Sequence, residues 1–150
     1  MQLERAKRVV NNVMKTRGAR ALFNAPVDPV ALNVLDYFDV IKHPIDLGTI
    51  HKRLQEGLKC DWKEGSYYRT PAEVYEDVSH VWRNCYAYNR SPNDAPIREL
   101  CEKTETYFEM KWREAGLVQE NASTELAVPE MFSLTNGELV SSELSMMTDV

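Results

Sequence analysis

Cysteine is scarce in this 150-residue sequence, and its arrangement argues against a disulfide framework or a zinc site. The three cysteines, Cys60, Cys85 and Cys101, are odd in number, form no CxxC pair and have no histidine at the spacing of metal ligands. We therefore expect reduced thiols in the core of the fold and no bound metal.

Long apolar runs are also missing from the sequence. No stretch approaches the run of about 18 apolar residues that a membrane-spanning helix requires. The N-terminal segment MQLERAKRVV lacks the apolar centre of a signal peptide. These absences favour a soluble, intracellular protein with no membrane partner, and the 43% hydrophobic and 27% charged residues are typical of a globular domain.

Motifs for catalysis and phosphate binding are not found either. His43, His51 and His80 have no nearby nucleophile signature such as GxSxG, and no glycine-rich phosphate loop occurs. An enzyme that removes acyl groups would need such a nucleophile or a metal. We therefore expect a protein that is not an enzyme and that uses no cofactor.

Positive charge is lacking at one end of the chain. Residues 117–150 contain six acidic residues and no Lys or Arg, so this tail carries a charge of −6. Since the whole chain carries −5, residues 1–116 carry +1. Nucleic-acid binding calls for a basic patch, so we expect none. The tail is rich in Ser, Thr, Glu and Asn and is predicted to be mostly disordered.

The sequence does contain helical periodicity, in four segments. Apolar residues along one helix face predict a first helix over residues 3–17, ended by Gly18. The loop that follows, over 19–44, contains prolines but is too apolar for a flexible linker, so it should be ordered. Asp46 is expected to cap a second helix, and Gly57 to close it.

The third and fourth helices have their own start signals. Thr70-Pro71-Ala72-Glu73 combines a capping box with proline at the first helical position and predicts a helix over 71–89. Asp94 is expected to cap a fourth helix that ends at Gly116. The predicted buried positions on the third helix are Val74, Val78, Val81, Trp82 and Cys85. The residues expected on or near the inner face of the fourth helix are Ile97, Leu100, Cys101, Thr104, Tyr107, Phe108 and Trp112. The pattern predicts an all-α fold, a four-helix bundle.

Three separated segments of the chain resemble the bromodomain family. They read FNAPVD over 23–28, LDYFDVIKHPIDLGTI over 35–50 and NCYAYN over 84–89, and they occur in the family's order. The resemblance covers about residues 3–115. It implies a bromodomain over 1–116, followed by the acidic tail over 117–150.

Membership of that family would imply both a fold and a function. The fold would be a left-handed four-helix bundle with a long ordered loop between helices one and two. The loop would cover a pocket that binds the neutral side chain of acetyl-lysine without reacting with it. The resemblance further implies acetylated histone tails or other acetylated nuclear proteins as partners and a nuclear location, and we expect a monomer.

The resemblance also implies which residues contact the acetyl-lysine. Asn89, which closes the third helix, would donate its side-chain amide to the acetyl oxygen, and Tyr37 would reach that oxygen through an ordered water. The remaining pocket would be formed by the walls Phe23, Val27, Leu32 and Val34 and by Cys85 and Tyr88 on its floor and side. Taken singly, each has an ordinary structural explanation, as a helix cap, a buried tyrosine or a core side chain.

Two departures from the bromodomain pattern concern the pocket itself. Where the family commonly has Trp-Pro-Phe, this chain has Ala21-Leu22-Phe23. Six residues after Asn89, where the family has a larger gatekeeper side chain, this chain has Ala95, and a shift of one residue would place Pro96 there instead. Both changes reduce the apolar area available to a ligand, so they predict a wider pocket and weaker binding.

A third departure is the length of the segment over residues 58–70. Its aromatic residues Trp62, Tyr67 and Tyr68 would either form an added contact surface or pack on the outside of the bundle. The departures leave two functions open. One is an acetyl-lysine reader, and the other is a bromodomain-like protein interaction module that has lost acetyl-lysine binding.

Overall fold

Helices dominate the computed structural model, which describes residues 2–60 and 66–117. The α-helices are α1 (Gln2–Met14), α2 (Tyr37–Val40), α3 (Leu47–Lys59), α4 (Pro71–Tyr88) and α5 (Ala95–Glu114), with a π-helical turn at Ala19–Phe23 and a 3-10 turn at Pro92–Asp94. No strand occurs in the described part of the chain. The predicted all-α class is therefore confirmed.

The four long helices, α1, α3, α4 and α5, belong to one compact unit, Met1–Ala115. Helix α1 packs against each of the other three, and α4 packs against both α3 and α5. A second unit begins at Gly116. The predicted disorder of the tail falls on residues that, apart from Leu117, lie outside the described part of the chain.

The core is formed by the inward face of each long helix. The buried side chains are Leu3, Ala6, Val9, Val10 and Val13 on α1, Leu47, Ile50 and Leu54 on α3, Val74, Val78, Val81, Trp82 and Cys85 on α4, and Cys101, Thr104, Phe108 and Trp112 on α5. All five positions predicted for the third helix are thus buried. On the fourth helix, the predicted Ile97, Leu100 and Tyr107 are only half-buried. Each fully buried large apolar side chain stabilises the fold by about 1.5–3 kcal/mol.

Two predicted helix starts have the expected hydrogen bonds. At the start of α4, the Thr70 hydroxyl accepts from the Glu73 amide while the Glu73 carboxylate accepts from the Thr70 amide, and Pro71 follows. At the start of α3, a carboxylate oxygen of Asp46 accepts from the Thr49 amide at 2.8 Å and the other accepts from the Thr49 hydroxyl at 2.7 Å. Such caps satisfy backbone donors that have no partner inside the helix.

Two predicted helix ends were wrong. Helix α1 ends at Met14, and Gly18 is not a left-handed cap but has φ −63°. Gly57 lies buried inside α3, which continues to Lys59. In both cases packing, rather than the local signal, sets the helix end. Asp94 is the N-cap residue of α5, as predicted, but its side chain makes no cap bond to that helix; its carboxylate accepts from the Ser91 amide, within the 3-10 turn.

The structure describes only part of the long segment between α3 and α4. Residues 61–65, which include Trp62, lie outside the described residues. Tyr67 is 58% exposed and carries the Arg53 guanidinium 3.8 Å above its ring. Tyr68 is 1% exposed, and its hydroxyl donates to Asp77 on α4 at 2.7 Å. The two tyrosines therefore differ, since Tyr68 belongs to the α3–α4 packing and Tyr67 faces solvent.

Candidate functional site

A cavity of about 310 Å³ lies between the loop that follows α1 and the last turns of α4. Eight of the ten residues predicted for the binding pocket line it: Phe23, Val27, Leu32, Val34, Tyr37, Cys85, Tyr88 and Asn89. Both alanine and leucine of the Ala21-Leu22-Phe23 segment line it too. The structure thus brings together residues that are up to 66 positions apart in the sequence.

The loop that forms one wall is fixed to the bundle at its start. The Asn24 side-chain amide donates to the Met14 carbonyl at 2.9 Å, and the Asn24 carbonyl accepts from the Gly48 amide at 3.1 Å. A Cβ on Gly48 would lie 2.3 Å from that carbonyl oxygen, so only glycine permits the contact. The Phe23 ring meets Trp82 edge-on, with centroids 5.1 Å apart, which anchors the loop to α4.

Asn89 follows the last residue of α4, and its side chain is held by the preceding turn. Its Nδ2 donates to the Cys85 carbonyl at 2.9 Å and lies 3.7 Å from the Cys85 sulfur. Its own carbonyl accepts from Arg98 at 2.9 Å, which fixes the backbone. An amide has two N–H groups, and sulfur is a weak acceptor. The second N–H is therefore available to a stronger acceptor in the cavity, such as a carbonyl oxygen.

Tyr37 begins the short helix α2 and is 8% exposed. Its ring packs against that of Tyr88, with centroids 5.0 Å apart, while the Tyr88 hydroxyl donates to the Asp36 carboxylate. Burial, followed by the nearby Cys85, raises the pKa of Tyr37 above its usual value of 10. The Tyr37 hydroxyl therefore stays protonated at neutral pH and can act as a hydrogen-bond donor.

The residue predicted for the mouth of the cavity requires a correction. Ala95 and Pro96 are exposed and do not line the cavity, whereas Ile97 does. The 3-10 turn at Pro92–Asp94 adds length before α5, so the first two residues of that helix face solvent. A branched side chain, that of Ile97, therefore lines the cavity where the sequence suggested a small one.

Five further lining residues were missed by the sequence reasoning. They are Ala25, Ile45, Asp46, Val81 and Asn84. Asn84 belongs to the NCYAYN segment, and its amide donates to the His43 carbonyl at 2.8 Å and so holds the loop before α3 against α4. Spacing along α4 was the available signal. Val81, Asn84 and Cys85 are separated by three or four residues, so they lie on one face of the helix that leads to Asn89.

The chemistry of this lining suits a neutral ligand. Most walls are apolar, and the polar groups are amides, phenols and one carboxylate, that of Asp46, whose oxygens both bind Thr49. Within residues 2–60 and 66–117, no group of three or more His, Cys, Asp or Glu side chains is placed to hold a metal. None of the helices in the same ranges is long and apolar enough to cross a membrane.

Comparison with known proteins identifies the family. A profile of the bromodomain family matches residues 6–103. The chain is 39% identical over 92 residues to transcription factor GTE11 of Arabidopsis thaliana, an alignment that covers 61% of this chain and 13% of that protein. It is 35% identical over 117 residues to bromodomain-containing factor 1 of Saccharomyces cerevisiae, covering 74% of this chain and 16% of that protein.

A third relative comes from another yeast. The SWR1 complex bromodomain subunit bdf1 of Schizosaccharomyces pombe is 38% identical over 90 residues, or 60% of this chain and 14% of that protein. The chain thus spans about one seventh of the length of these relatives. The profile match covers well over half of the chain and includes all of the cavity-lining residues. This chain belongs to the bromodomain family.

Proposed function

We propose that this bromodomain is a non-catalytic reader that holds the side chain of acetyl-lysine in the cavity beside Asn89. The observation that carries the proposal is a neutral amide, positioned by the Cys85 carbonyl and the Arg98 guanidinium, on the wall of a largely apolar cavity. The second N–H of that amide would donate to the acetyl oxygen. Tyr37 would add a contact through water, and Phe23, Val27 and Ile97 would pack against the methyl group and the lysine stem.

Selectivity would come from charge. An unmodified lysine would bring an ammonium group into a cavity whose lining carboxylate, Asp46, already uses both oxygens to bind Thr49. Removing an unpaired ion from water costs several kcal/mol. Acetylation removes the charge and supplies an acceptor for Asn89, which avoids the loss of about 1–3 kcal/mol that a desolvated amide without a partner would incur.

The proposed partners are acetylated histone tails or other acetylated nuclear proteins, which would place the protein in the nucleus. A shallow groove adjoins the cavity, shares Val34, Tyr88, Asn89 and Ile97 with it, and contains the carboxylates of Asp36 and Asp94 together with Arg90. Its net negative charge would favour a basic peptide. The names of the relatives, a transcription factor and bromodomain factors, are compatible with a role in transcription.

The alternative, an interaction module without acetyl-lysine binding, has less support once the lining of the cavity is considered. One reason for it was a small residue at the mouth of the cavity, and Ile97 occupies that mouth instead. The other reason, the Ala21-Leu22-Phe23 segment, remains. We expect the pocket to bind a single mark with micromolar affinity, about −8 kcal/mol.

The decisive experiment is a calorimetric titration of acetylated and unmodified histone H3 and H4 tail peptides. The wild type should bind only acetylated peptides, and Asn89→Ala should lose at least about tenfold in affinity, or about 1.4 kcal/mol. Asn12→Ala, the same substitution at an exposed position of α1, is the control and should bind normally. Acetyl-independent binding by the wild type, or unchanged binding by Asn89→Ala, would contradict the proposal.

A further inference from the structure

Two thiols meet where α4 packs against α5, and one of them faces the cavity. Cys85 lines the cavity, while Cys101 is fully buried on α5. The Cys101 sulfur lies 4.0 Å from the carbonyl oxygen of Trp82, within one turn of Cys85 on α4. The two thiols interact with each other, and this interaction is the main cause of the opposite shifts in their pKa values. A solute in the cavity can therefore reach the first thiol but not the second.

The surroundings of the two thiols are unequal. The interaction with Cys101, supported by the Asn89 amide at 3.7 Å, outweighs burial and lowers the pKa of Cys85. The same interaction, together with burial, raises the pKa of Cys101. Thiolate therefore forms preferentially on the sulfur that faces the cavity. This is the arrangement of a reactive thiol with a second thiol directly behind it.

We propose that Cys85 and Cys101 form an oxidation-sensitive site at the floor of the cavity, in which hydrogen peroxide oxidises Cys85 and Cys101 resolves it to an intramolecular disulfide. In the first step the Cys85 thiolate attacks one peroxide oxygen, the O–O bond breaks, and hydroxide leaves while Cys85 becomes a sulfenic acid. In the second step the Cys101 sulfur attacks the Cys85 sulfur and the S–O bond breaks. The Cys101 proton leaves with the oxygen as water. Two thiols and one peroxide thus give one disulfide and two waters.

The disulfide would alter the cavity because Cys85 supports Asn89. Its carbonyl accepts from the Asn89 amide, and its sulfur lies beside the same nitrogen. Drawing the Cys85 sulfur toward α5 to bonding distance shifts the turn that positions that amide. If the proposed acetyl-lysine binding holds, oxidation should therefore weaken it. This consequence rests on the proposed function, whereas the disulfide itself does not.

The first test is intact-mass spectrometry of the full chain after treatment with hydrogen peroxide, with Cys60→Ser in every sample because Cys60 is exposed. The Cys60→Ser chain should lose the mass of two hydrogens, and peptide mapping should link Cys85 to Cys101. Adding Cys101→Ala should instead give a gain of one oxygen on Cys85 that dimedone traps. Adding Cys85→Ala to the Cys60→Ser chain should prevent both the disulfide and the gain of oxygen that dimedone traps. Unchanged mass in the Cys60→Ser chain, or mapping of the product to any other residue, overturns the proposal without depending on how either variant folds.

The second test measures peptide binding before and after oxidation. The oxidised Cys60→Ser chain should bind an acetylated peptide at least about tenfold more weakly, and dithiothreitol should restore the affinity. With Cys101→Ala added, reduced protein should bind normally, because Cys101 does not line the cavity. A disulfide that forms without any change in peptide affinity would overturn the coupling to binding. Absence of acetyl-dependent binding in the reduced chain would instead count against the proposed reader function and leave the mass result standing.

Discussion

At the scale of single residues, the two phenols that line the cavity have raised pKa values and stay protonated. Tyr37 and Tyr88 pack together, and the hydrogen bond to Asp36 raises the pKa of Tyr88 to about 12. Burial raises that of Tyr37 as well. A phenol whose pKa is raised by folding stays neutral, and keeps any associated stability, until the pH rises toward that value. Both phenols therefore remain donors across the physiological range, and the site needs no proton transfer to receive a neutral ligand.

Replacing Tyr37 by phenylalanine tests the hydroxyl separately from the ring. The ring contacts with Tyr88 and Phe38 should survive, so the free energy of unfolding should change little. Loss of one hydrogen bond should weaken acetylated-peptide binding by about 0.5–1.5 kcal/mol, measured by calorimetry. The difference in affinity between the wild type and Tyr37→Phe should also be constant from about pH 6 to 9, below the raised pKa of Tyr37.

The matched control for that substitution is Tyr67→Phe. Tyr67 is exposed and does not line the cavity, so the same chemical change there should leave peptide affinity at the wild-type value. Equal affinity of Tyr37→Phe and wild type would show that the Tyr37 hydroxyl takes no part in binding. Its role would then reduce to packing.

At the scale of elements, the sequence predicts helices best where the signal is local. The capping box at Thr70 and the cap at Asp46 involve residues within one turn of each other, and both hydrogen-bond patterns are present. The predicted role of Gly18 failed because the requirement is tertiary: a Cβ there would lie 2.0 Å from the Thr104 hydroxyl on α5. No pattern within α1 contains that information.

The same distinction applies to the candidate site. The motif NCYAYN places Asn89 and Cys85 relative to each other by helix geometry alone. Which residue lines the mouth of the cavity depends instead on the length of the turn before α5. Counting residues from Asn89 predicted Ala95, whereas Ile97 lines the cavity. The role of Gly48 against the Asn24 carbonyl likewise becomes visible only once the loop is folded onto α3.

The contact between α4 and α5 contains a carboxylate that opposes folding at neutral pH. Glu109 accepts from the Tyr75 hydroxyl at 3.0 and 2.8 Å, and burial raises its pKa above 4.5 despite that hydrogen bond. Because folding favours the protonated form, the associated stability is present below pH 4.5 and is lost as the pH rises through the raised value. Glu109→Gln, which retains an acceptor for Tyr75, should therefore be more stable than the wild type at pH 7.

Urea denaturation from about pH 4 to 8 tests this expectation. The stability advantage of Glu109→Gln should shrink toward the acid end, where the wild-type side chain is itself neutral. Glu99→Gln, at an exposed position of α5, should show no such pH-dependent difference from the wild type. A Glu109→Gln curve parallel to the wild type at every pH would mean that the carboxylate is not penalised by folding.

At the scale of the whole molecule, the bundle holds the cavity in place before any ligand arrives. The loop is tied to α1 and α3 through Asn24 and to α4 through Phe23, and the segment before α3 is tied to α4 through Asn84. Binding should therefore order few additional residues and so sacrifice little of the interaction energy. A ligand that binds only this folded arrangement must in turn stabilise the whole unit.

That linkage gives a prediction for thermal unfolding. An acetylated peptide that binds the folded state alone adds RT ln(1 + [L]/Kd), about 2.7 kcal/mol at a hundred times Kd. The midpoint of unfolding should therefore rise with peptide concentration, whereas the unmodified peptide should leave it unchanged. Asn89→Ala should unfold cooperatively in the absence of peptide and show a much smaller shift. An equal shift with acetylated and unmodified peptides would indicate binding through charge at the Asp36 and Asp94 groove. It would contradict the proposed binding in the cavity, which requires a neutral amide to be favoured over an ammonium.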